Sequence, residues 1–258
     1  MRRTHGLTLG LSLALLVAGA RGAQAQTAEQ HLALGDSAHA AMNPAAALRH
    51  YEAGLAVDPR NYELLWKAAR DAVDVGEHAE SKETRTQMYR SAELYARRAV
   101  EVNPGDAEGH FHLARSLGRA ALALGPRDRI KYATDVRAHA LEALKLDPKH
   151  PGALHVMGMW NAEVMRLSGP TRWIAKNILG GKVFDSASWK EAVRYMQEAV
   201  ANEPERIVHH ADLAEIYRDT GDAARARAEW EAVLQLKATD FNDRFHKQTA
   251  TDRLRGAK

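Results

Sequence analysis

The chain has 258 residues, with 36 lysines and arginines against 33 aspartates and glutamates, 45% hydrophobic residues and no cysteine. The lack of cysteine excludes disulfide bonds, thiolate catalysis and thiolate metal ligands. A chain of this length fits one large domain or one solenoid, and no Gly/Ser-rich linker marks a domain boundary within it.

The N-terminus has the pattern of a secretory signal peptide. Two arginines precede an apolar run at residues 7–20, and Ala23-Gln24-Ala25 forms the small-residue exit. The apolar run is shorter than the roughly 20 residues that span a bilayer. We therefore expect a signal peptide at residues 1–25, cleavage after Ala25, and a periplasmic or secreted protein. A retained signal anchor is the alternative.

Removal of this leader changes the charge balance. Residues 1–25 contain three arginines and no acidic residue, so the single remaining domain, residues 26–258, carries 33 basic and 33 acidic side chains. Binding to a phosphate backbone requires a concentrated cationic surface. Binding to nucleic acid is therefore disfavoured.

A phrase that ends a helix occurs four times after the leader. In each copy, small or apolar residues spaced four and three apart lie on one helix face, and a proline after an acidic residue or asparagine then ends the helix. Small side chains on that face allow a second helix to approach closely. The four copies are Ala47, Tyr51 and Gly54 before Pro59; Ala92, Ala96 and Ala99 before Pro104; Val136, Ala140 and Ala143 before Pro148; and Ala192, Met196 and Ala199 before Pro204.

Another amphipathic helix follows these prolines. The order helix, turn, helix, proline at a period near 34 residues is the pattern of tetratricopeptide (TPR) repeats. We therefore predict an all-α TPR solenoid with about five helix pairs, and a further helix around residues 239–254 that caps its open end. The helix pairs are predicted at about residues 28–61, 62–106, 107–150, 151–206 and 207–238.

The three middle pairs are longer than the repeat period. About ten extra residues in the second and third pairs are expected simply to lengthen their helices. The fourth pair contains an insert, residues 168–189, that Gly-Pro and Gly-Gly steps interrupt. We expect a short helix there that covers the solenoid core or, alternatively, contacts a partner or a membrane. The residues predicted on its apolar side are Trp173, Ile174, Ile178 and Leu179.

The middle of the chain resembles the TPR domain of the regulator of microtubule dynamics proteins. The resemblance rests on His155, Met157, Gly158 and Trp160 in "LHVMGMWNAEV", and on "RWIAKNIL" and "SASWKEAVRYMQEA"; "LLWKAARDA" and "DPKHPGALH" also fit. It covers roughly residues 64–236 and implies an all-helical adaptor. Eukaryotic members of that family associate with microtubules and organelle membranes. An exported chain would not meet microtubules, so the resemblance transfers the fold and not the partner.

No motif points to catalysis, a cofactor or a metal. The Gly-Lys step at residue 181 lacks the spacing of a phosphate loop, and neither a His-Glu-x-x-His nor a Gly-x-Ser-x-Gly sequence occurs. His110 and His112 are expected to point to nearly opposite sides of their helix. His31, His110 and His210 share one repeat position, which predicts packing or groove residues. We therefore expect neither an enzyme nor a bound cofactor or metal ion.

The concave face of the solenoid is the candidate functional site. In TPR proteins four positions of each first helix line an inner groove, and here they place aromatic and basic side chains in its middle. Such a composition can hold a carboxylate beside an apolar anchor. We expect the arginines to form an exposed positive ladder whose loss changes stability little; internal pairing with acidic residues is the alternative. The predicted partner-binding residues are Trp66, Arg70, Phe111, Arg115, Arg119, His155 and Met159.

These features predict a non-enzymatic scaffold that binds a protein or an extended peptide segment, acidic in character, in the groove. Leu32 and Asp36 replace the Lys and Asn of the carboxylate clamp in chaperone-binding TPR proteins, so chaperone tails are not expected. The alternative is a membrane-associated structural protein that an uncleaved leader tethers, with membrane or cytoskeletal contacts like those of the family. Membrane contact is not favoured.

Overall fold

The part of the chain that the structure describes is helical and contains no β-strand. This computed structural model describes residues 26–122, 126–171, 173 and 181–256, so the predicted signal peptide lies outside the described residues. The elements are α1 (Ala28–Ala40), α2 (Pro44–Val57), α3 (Tyr62–Glu77), α4 (Lys82–Val102), α5 (Ala107–Leu122), α6 (Pro126–Leu146), α7 (Pro151–Arg166), a 3-10 helix (Gly181–Ser186), α8 (Trp189–Asn202), α9 (Ile207–Asp219), α10 (Ala223–Gln235) and α11 (Asp243–Gly256).

The order and packing of these elements confirm the predicted all-α TPR solenoid. Consecutive helices pack as pairs, from α1 with α2 to α9 with α10, and α11 packs against the last pair. The first helix of each pair also packs against the first helix of the next pair. The first helices α1, α3, α5, α7 and α9 therefore form an inner layer, and we call the surface of this layer the concave face.

The helices begin and end where the sequence places their signals. The helices α2, α4, α6 and α8 each end immediately before the acidic residue or asparagine that precedes a repeat proline. Proline cannot donate a backbone hydrogen bond, so the helix does not continue through it. Asn43 and Asn61 cap α2 and α3, because each side chain accepts a hydrogen bond from the backbone N–H three residues further on. Short-range signals thus fix the repeat lengths.

The predicted stripes of small residues are buried between helices. Every stripe residue is buried, and the alanines among them have no exposed surface. Where a stripe residue is large, a glycine makes room for it. A Cβ on Gly35 would come within 2.2 Å of Tyr51 Cε1, so the tyrosine ring occupies the space that a side chain would need. The repeated phrase is therefore a stacking unit.

Extra residues lengthen the second and third helix pairs, as expected. The second helices of these pairs, α4 and α6, have 21 residues each, whereas α2 and α8 have 14 and α10 has 13. None of the helices in the described ranges is both long enough and apolar enough to cross a membrane.

The described end of the insert packs onto the solenoid. In the 3-10 helix, Phe184 is 2% exposed and stacks on Trp160 of α7, with ring centroids 6.0 Å apart. This end therefore covers the chain's own core. Trp173 is 60% exposed, and its role stays a prediction. Outside the described residues lie Ile174, Ile178 and Leu179.

The residues that carry the family resemblance have structural roles around α7. Trp160 donates from Nε1 to the carbonyl oxygen of Ala133 on α6 at 2.7 Å. Gly158 lies close to α8, since a Cβ there would come within 3.1 Å of Met196 Cε. Met157 is 2% exposed. The motif therefore joins α7 to both of its neighbours.

Candidate functional site

The two aromatic residues predicted for the groove meet at one buried histidine. The Trp66 ring on α3 stacks on His112 of α5, with ring centroids 5.2 Å apart and planes at 9°. Phe111 contacts the same imidazole at 4.5 Å. Burial lowers the pKa of His112 to about 4, although Glu108 beside it opposes this shift. The imidazole is therefore neutral near pH 7 and contributes packing and a hydrogen bond instead of charge.

Phe111 is a packing residue and not a free anchor. Its ring lies against Gly152 at the start of α7, where a Cβ would come within 2.5 Å of the Phe111 Cζ atom. It also contacts the His150 ring, with centroids 4.9 Å apart. The phenylalanine therefore joins α5 to α7, and a partner could reach only its outer edge.

The three predicted arginines lie in a row, but each of them contacts an acidic side chain of α3. The expectation of an exposed positive ladder is therefore wrong, and the alternative of internal pairing is what the structure shows. Arg70 contacts its own neighbour on α3, whereas close stacking of the first helices brings the two arginines of α5 against acids on α3. The contacts are Arg70 Nε to Asp71 Oδ1 at 3.2 Å, Arg115 Nη2 to Asp74 Oδ1 at 2.5 Å and Arg119 Nε to Glu77 Oε1 at 2.5 Å.

The three arginines differ in how much surface they leave to a partner. The side chains of Arg70 and Arg115 are 19% and 20% exposed, and that of Arg119 is 36% exposed. Burial acts to lower the pKa of Arg115, but the nearby carboxylates of Asp74 and Glu77 outweigh burial and raise that pKa. Arg115 is thus a charged group held inside the fold, so the exposed side chain from which a small effect on stability was expected is not what the structure shows.

One group of side chains on the concave face has the composition of a cation site. His39, Asp71 and Asp74 each offer a ligand atom within 4.8 Å of the others. His39 Nδ1 lies 2.8 Å from Asp71 Oδ1, and the two carboxylates already contact Arg70 and Arg115. Guanidinium groups therefore neutralise the charge that would attract a metal ion.

At the rear of the concave face, which α7 and α9 form, histidines as well as arginines join the repeats. His155 Nε2 lies 3.0 Å from Asp212 Oδ2, and its Nδ1 lies 2.8 Å from His209 Nδ1. His209 Nε2 lies 3.1 Å from Glu203 Oε2. Burial lowers the pKa of His209 to about 4. Burial raises the pKa of the Asp212 carboxyl, but the hydrogen bond from His155 opposes burial, and the pKa falls to about 2. The predicted groove residue His155 therefore joins α7 to α9.

Other rear residues are also engaged within the fold. Met159 is partly buried and packs on the core of the last two repeats. The acidic side chains at this end carry arginine partners: Arg166 contacts Asp219 at 2.6 Å, and Arg253 contacts Glu215 at 2.9 Å. The rear of the face is thus neutralised like the front.

The periodic histidines contact the turns between repeats. His110 Nε2 lies 3.1 Å from the carbonyl oxygen of Pro104, and His210 Nε2 lies 2.9 Å from that of Pro204. Each histidine donates to the proline six residues before it, so the shared repeat position reflects a shared hydrogen bond. His31 instead packs against the ring of His50. Of the two roles predicted for these histidines, packing or groove residues, their contacts are packing contacts.

The C-terminal segment, residues 239–246, reaches back to the end of α3. His78 Nε2 lies 2.7 Å from Asn242 Oδ1, and Asn242 Nδ2 donates to Asp74 Oδ1 at 3.0 Å. The Phe245 ring stacks on His78, with centroids 3.7 Å apart. The chain's own C-terminal segment therefore forms part of the wall of the concave face.

The sequence predicted a capping helix in this part of the chain but not its contacts with the end of α3, and it did not identify which acids pair with the arginines. A signal existed for the partners, because the α3 acids repeat at a spacing of three and so share a helix face. No local signal connects α3 to the C-terminal segment, which lies more than 160 residues away. The residues missed are Asp71, Glu77, His78, Asn242 and Phe245.

Comparisons with known proteins bear on this site through the family. The chain matches the family described as regulator of microtubule dynamics protein 1-3 over residues 31–258. Similar relatives include regulator of microtubule dynamics protein 1 of Bos taurus, 29% identical over 143 residues, and of Homo sapiens, 28% identical over 141 residues. These matches cover 55% and 54% of this chain and 44% of each relative. The chain thus spans less than half the length of the curated relatives it matches.

A solved structure shows the same fold. A thermophilic TPR protein of Thermus thermophilus superimposes with a TM-score of 0.64 at 20% sequence identity. The superposition covers 87% of this chain and 98% of that protein. This likeness extends over nearly the whole solenoid and confirms the TPR architecture.

Proposed function

The chain belongs to the regulator of microtubule dynamics protein 1-3 family, and from that premise we propose that it is a non-enzymatic TPR scaffold. In this proposal it binds a segment of a partner protein on its concave face, in the bacterial periplasm. TPR solenoids use extended concave surfaces for binding, and this fold supports a protein-interaction scaffold.

The observation that carries the proposal is the continuous inner layer of first helices, whose side chains hold one another in place. Lys67 reaches Asp36 of the preceding repeat at 2.7 Å, and Arg115 reaches Asp74 in the same way. A surface whose side chains are already fixed loses little conformational entropy when a partner binds. The face is thus a rigid platform that suits an extended segment.

Export is the part of the proposal that rests on sequence alone. The leader pattern at residues 1–25 predicts a chain that begins at Gln26 outside the cytoplasm. The names of the relatives refer to microtubules. An exported scaffold would take a different partner, so the family contributes the architecture of the binding face and not its occupant.

Site-specific photocrosslinking in the native cell envelope tests this function. A photoreactive residue at Arg218, whose side chain is 42% exposed on α9, samples the concave face. The matched control is Arg227 on the outer helix α10, with a side chain 56% exposed. We expect a discrete crosslinked partner from position 218 and none from position 227. We also expect the crosslinked chain to be soluble and to begin at Gln26. Equal crosslinking from both positions would contradict concave binding, and a membrane-bound chain that keeps residues 1–25 would favour the tethered alternative.

A further inference from the structure

A basic cleft lies at one end of the concave face, where the turn after α3 meets the C-terminal segment. Its volume is about 520 Å³. Side chains from α3, α4, α5 and the C-terminal segment line it together. The cleft therefore depends on the packing of the second and third repeats and on the docked C-terminus.

Cations outnumber carboxylates in this cleft. Lys82, Arg85 and Arg119 line it together with one acidic residue, Glu77. Glu77 forms an ion pair with Arg119, and its Oε1 atom has no aligned hydrogen bond. Within the described part of the chain, neither Lys82 nor Arg85 takes part in an ion pair. This contrasts with the row of paired arginines beside the cleft, and it leaves two cations without an ion-pair partner among the described residues.

Arg85 has an unused donor at this place. Its Nη2 donates to the carbonyl oxygen of Ala79 at 3.0 Å, which fixes the guanidinium group. Its Nε is buried and has no hydrogen-bond partner among the described residues. A buried donor without a partner is costly. Arg85 lines the cleft, and a guanidinium group binds a carboxylate through parallel N–H groups.

Aromatic rings stand beside these charges. Tyr89 is 6% exposed, and Phe245 is 38% exposed at the cleft. The Phe245 ring is held by its stacking on His78. An apolar wall next to fixed cations favours an acidic group carried on a larger apolar body over a bare, strongly hydrated anion.

We propose that this basic cleft binds a carboxylate of the partner segment, with Arg85 and Lys82 receiving the acidic group and Phe245 contacting an apolar residue next to it. The inference rests on the proposed function, because it names the chemistry of the segment that the scaffold holds. The sequence assigned the recognition of acidic residues to Arg70 and Arg115, which pair with acids of α3. This inference assigns it to Lys82 and Arg85, which form no ion pair among the described residues.

Nuclear magnetic resonance on the full chain tests this assignment through the arginine Nε–H signals. The probe is the acetylated peptide Phe-Asp-Glu-Asp, compared with the neutral peptide Phe-Asn-Gln-Asn amide and with inorganic phosphate. We expect the acidic peptide to shift the Arg85 signal. Arg85→Gln should weaken its binding about tenfold, which corresponds to about 1.4 kcal/mol. The control Arg227→Gln on α10, an exposed residue with its own partner Glu231, should bind like the parent.

Three outcomes would overturn the assignment: no shift at millimolar peptide, equal affinities of Arg85→Gln and Arg227→Gln, or a shift with phosphate alone. Photocrosslinking at Arg218, repeated in the Arg85→Gln chain, separates the two proposals. If the peptide does not bind but the crosslink persists, the scaffold function stands and the cleft is not its carboxylate site. If the crosslink is absent from the parent chain while the peptide binds at Arg85, the cleft stands and concave binding of a partner does not.

Discussion

The front and rear of the concave face join their repeats with different chemistry. At the front junction, between α3 and α5, arginine contacts acidic side chains, as in the pair of Arg115 and Asp74. At the rear junction, between α7 and α9, His155 and His209 contact each other and flanking carboxylates, beside the ion pair of Arg166 with Asp219. Arginine stays protonated throughout the accessible pH range, whereas imidazole titrates near neutrality. The cation of the front contact therefore keeps its charge as pH falls, although burial raises the pKa of its partner Asp74, whereas the rear histidines gain charge in acid.

The largest effect is expected at the front junction. Arg115→Ala removes the ion-pair partner of Asp74, which is 2% exposed, and leaves a buried carboxylate that, among the described residues, keeps a hydrogen bond from Asn242. Loss of one member of a buried pair costs about 3–5 kcal/mol. Urea unfolding followed by circular dichroism measures this loss. The control Arg225→Ala, on an outer helix with a side chain 58% exposed, should unfold like the parent; similar behaviour of both variants would contradict a structural role for Arg115.

The rear junction should respond to pH. The folded state holds His209 with a pKa of about 4, below the value near 6.5 in an unfolded chain. The unfolded state therefore binds more protons between these values, so stability is complete above pH 6.5 and is lost as pH falls toward 4. The expected loss is roughly 3 kcal/mol for such a histidine. Urea midpoints between pH 7 and 4 measure it.

One substitution separates the contribution of His209 to acid sensitivity from that of His112, the front histidine whose imidazole titrates in the same pH range. His209→Gln should remove the share of the acid sensitivity that His209 contributes and leave the share of His112. Glu229 raises the pKa of His210. The contribution of His210 to stability is therefore lost as pH rises, and it does not mask the loss of stability in acid. An unchanged pH profile in His209→Gln would show that the rear imidazoles do not titrate with folding.

Two glycines, Gly152 and Gly118, test the packing of Phe111 between α5 and α7. Gly152 lies against the Phe111 ring, whereas nothing lies within 4 Å of a Cβ built on Gly118 of α5. Gly152→Ala should destabilise the chain by about 1–3 kcal/mol through overpacking. Gly118→Ala should stabilise it by about 0.5–1 kcal/mol through helix propensity. Thermal melts of the two variants should shift in opposite directions, and shifts of the same sign would refute the anchored position of Phe111.

The smallest effect concerns the C-terminal segment. Asn242→Ala removes the contacts to His78 and to Asp74. The loss of such hydrogen bonds is worth about 1 kcal/mol and should appear as faster amide exchange in α11. Hydrogen-exchange mass spectrometry resolves that region from α9. If amide exchange accelerates equally in α9 and α11, the C-terminal segment does not close the front of the concave face as a unit separate from the last repeat.

The sequence predicts the repeats well because their signals are local. Stripes of alanine and the prolines that follow them act within one helix and one turn, so helix pairs and their lengths follow directly. The site depends on register between distant helices. Arg115 and Asp74 are 41 residues apart, and Asn242 and Asp74 are 168 apart. Periodicity could place the arginines on the concave face, but it could not show that acids on α3 meet them.

A double-mutant cycle on Arg115 and Asp74 tests most directly whether the arginines of the concave face are internal contacts. The free energies of unfolding of Arg115→Ala, Asp74→Ala and the double variant give the coupling energy between α3 and α5. The structure predicts strong coupling of roughly 2–3 kcal/mol, with the double variant less destabilised than the sum of the single variants. Additivity within about 0.5 kcal/mol would show that Arg115 is an independent cation, available to a partner as the sequence alone suggested.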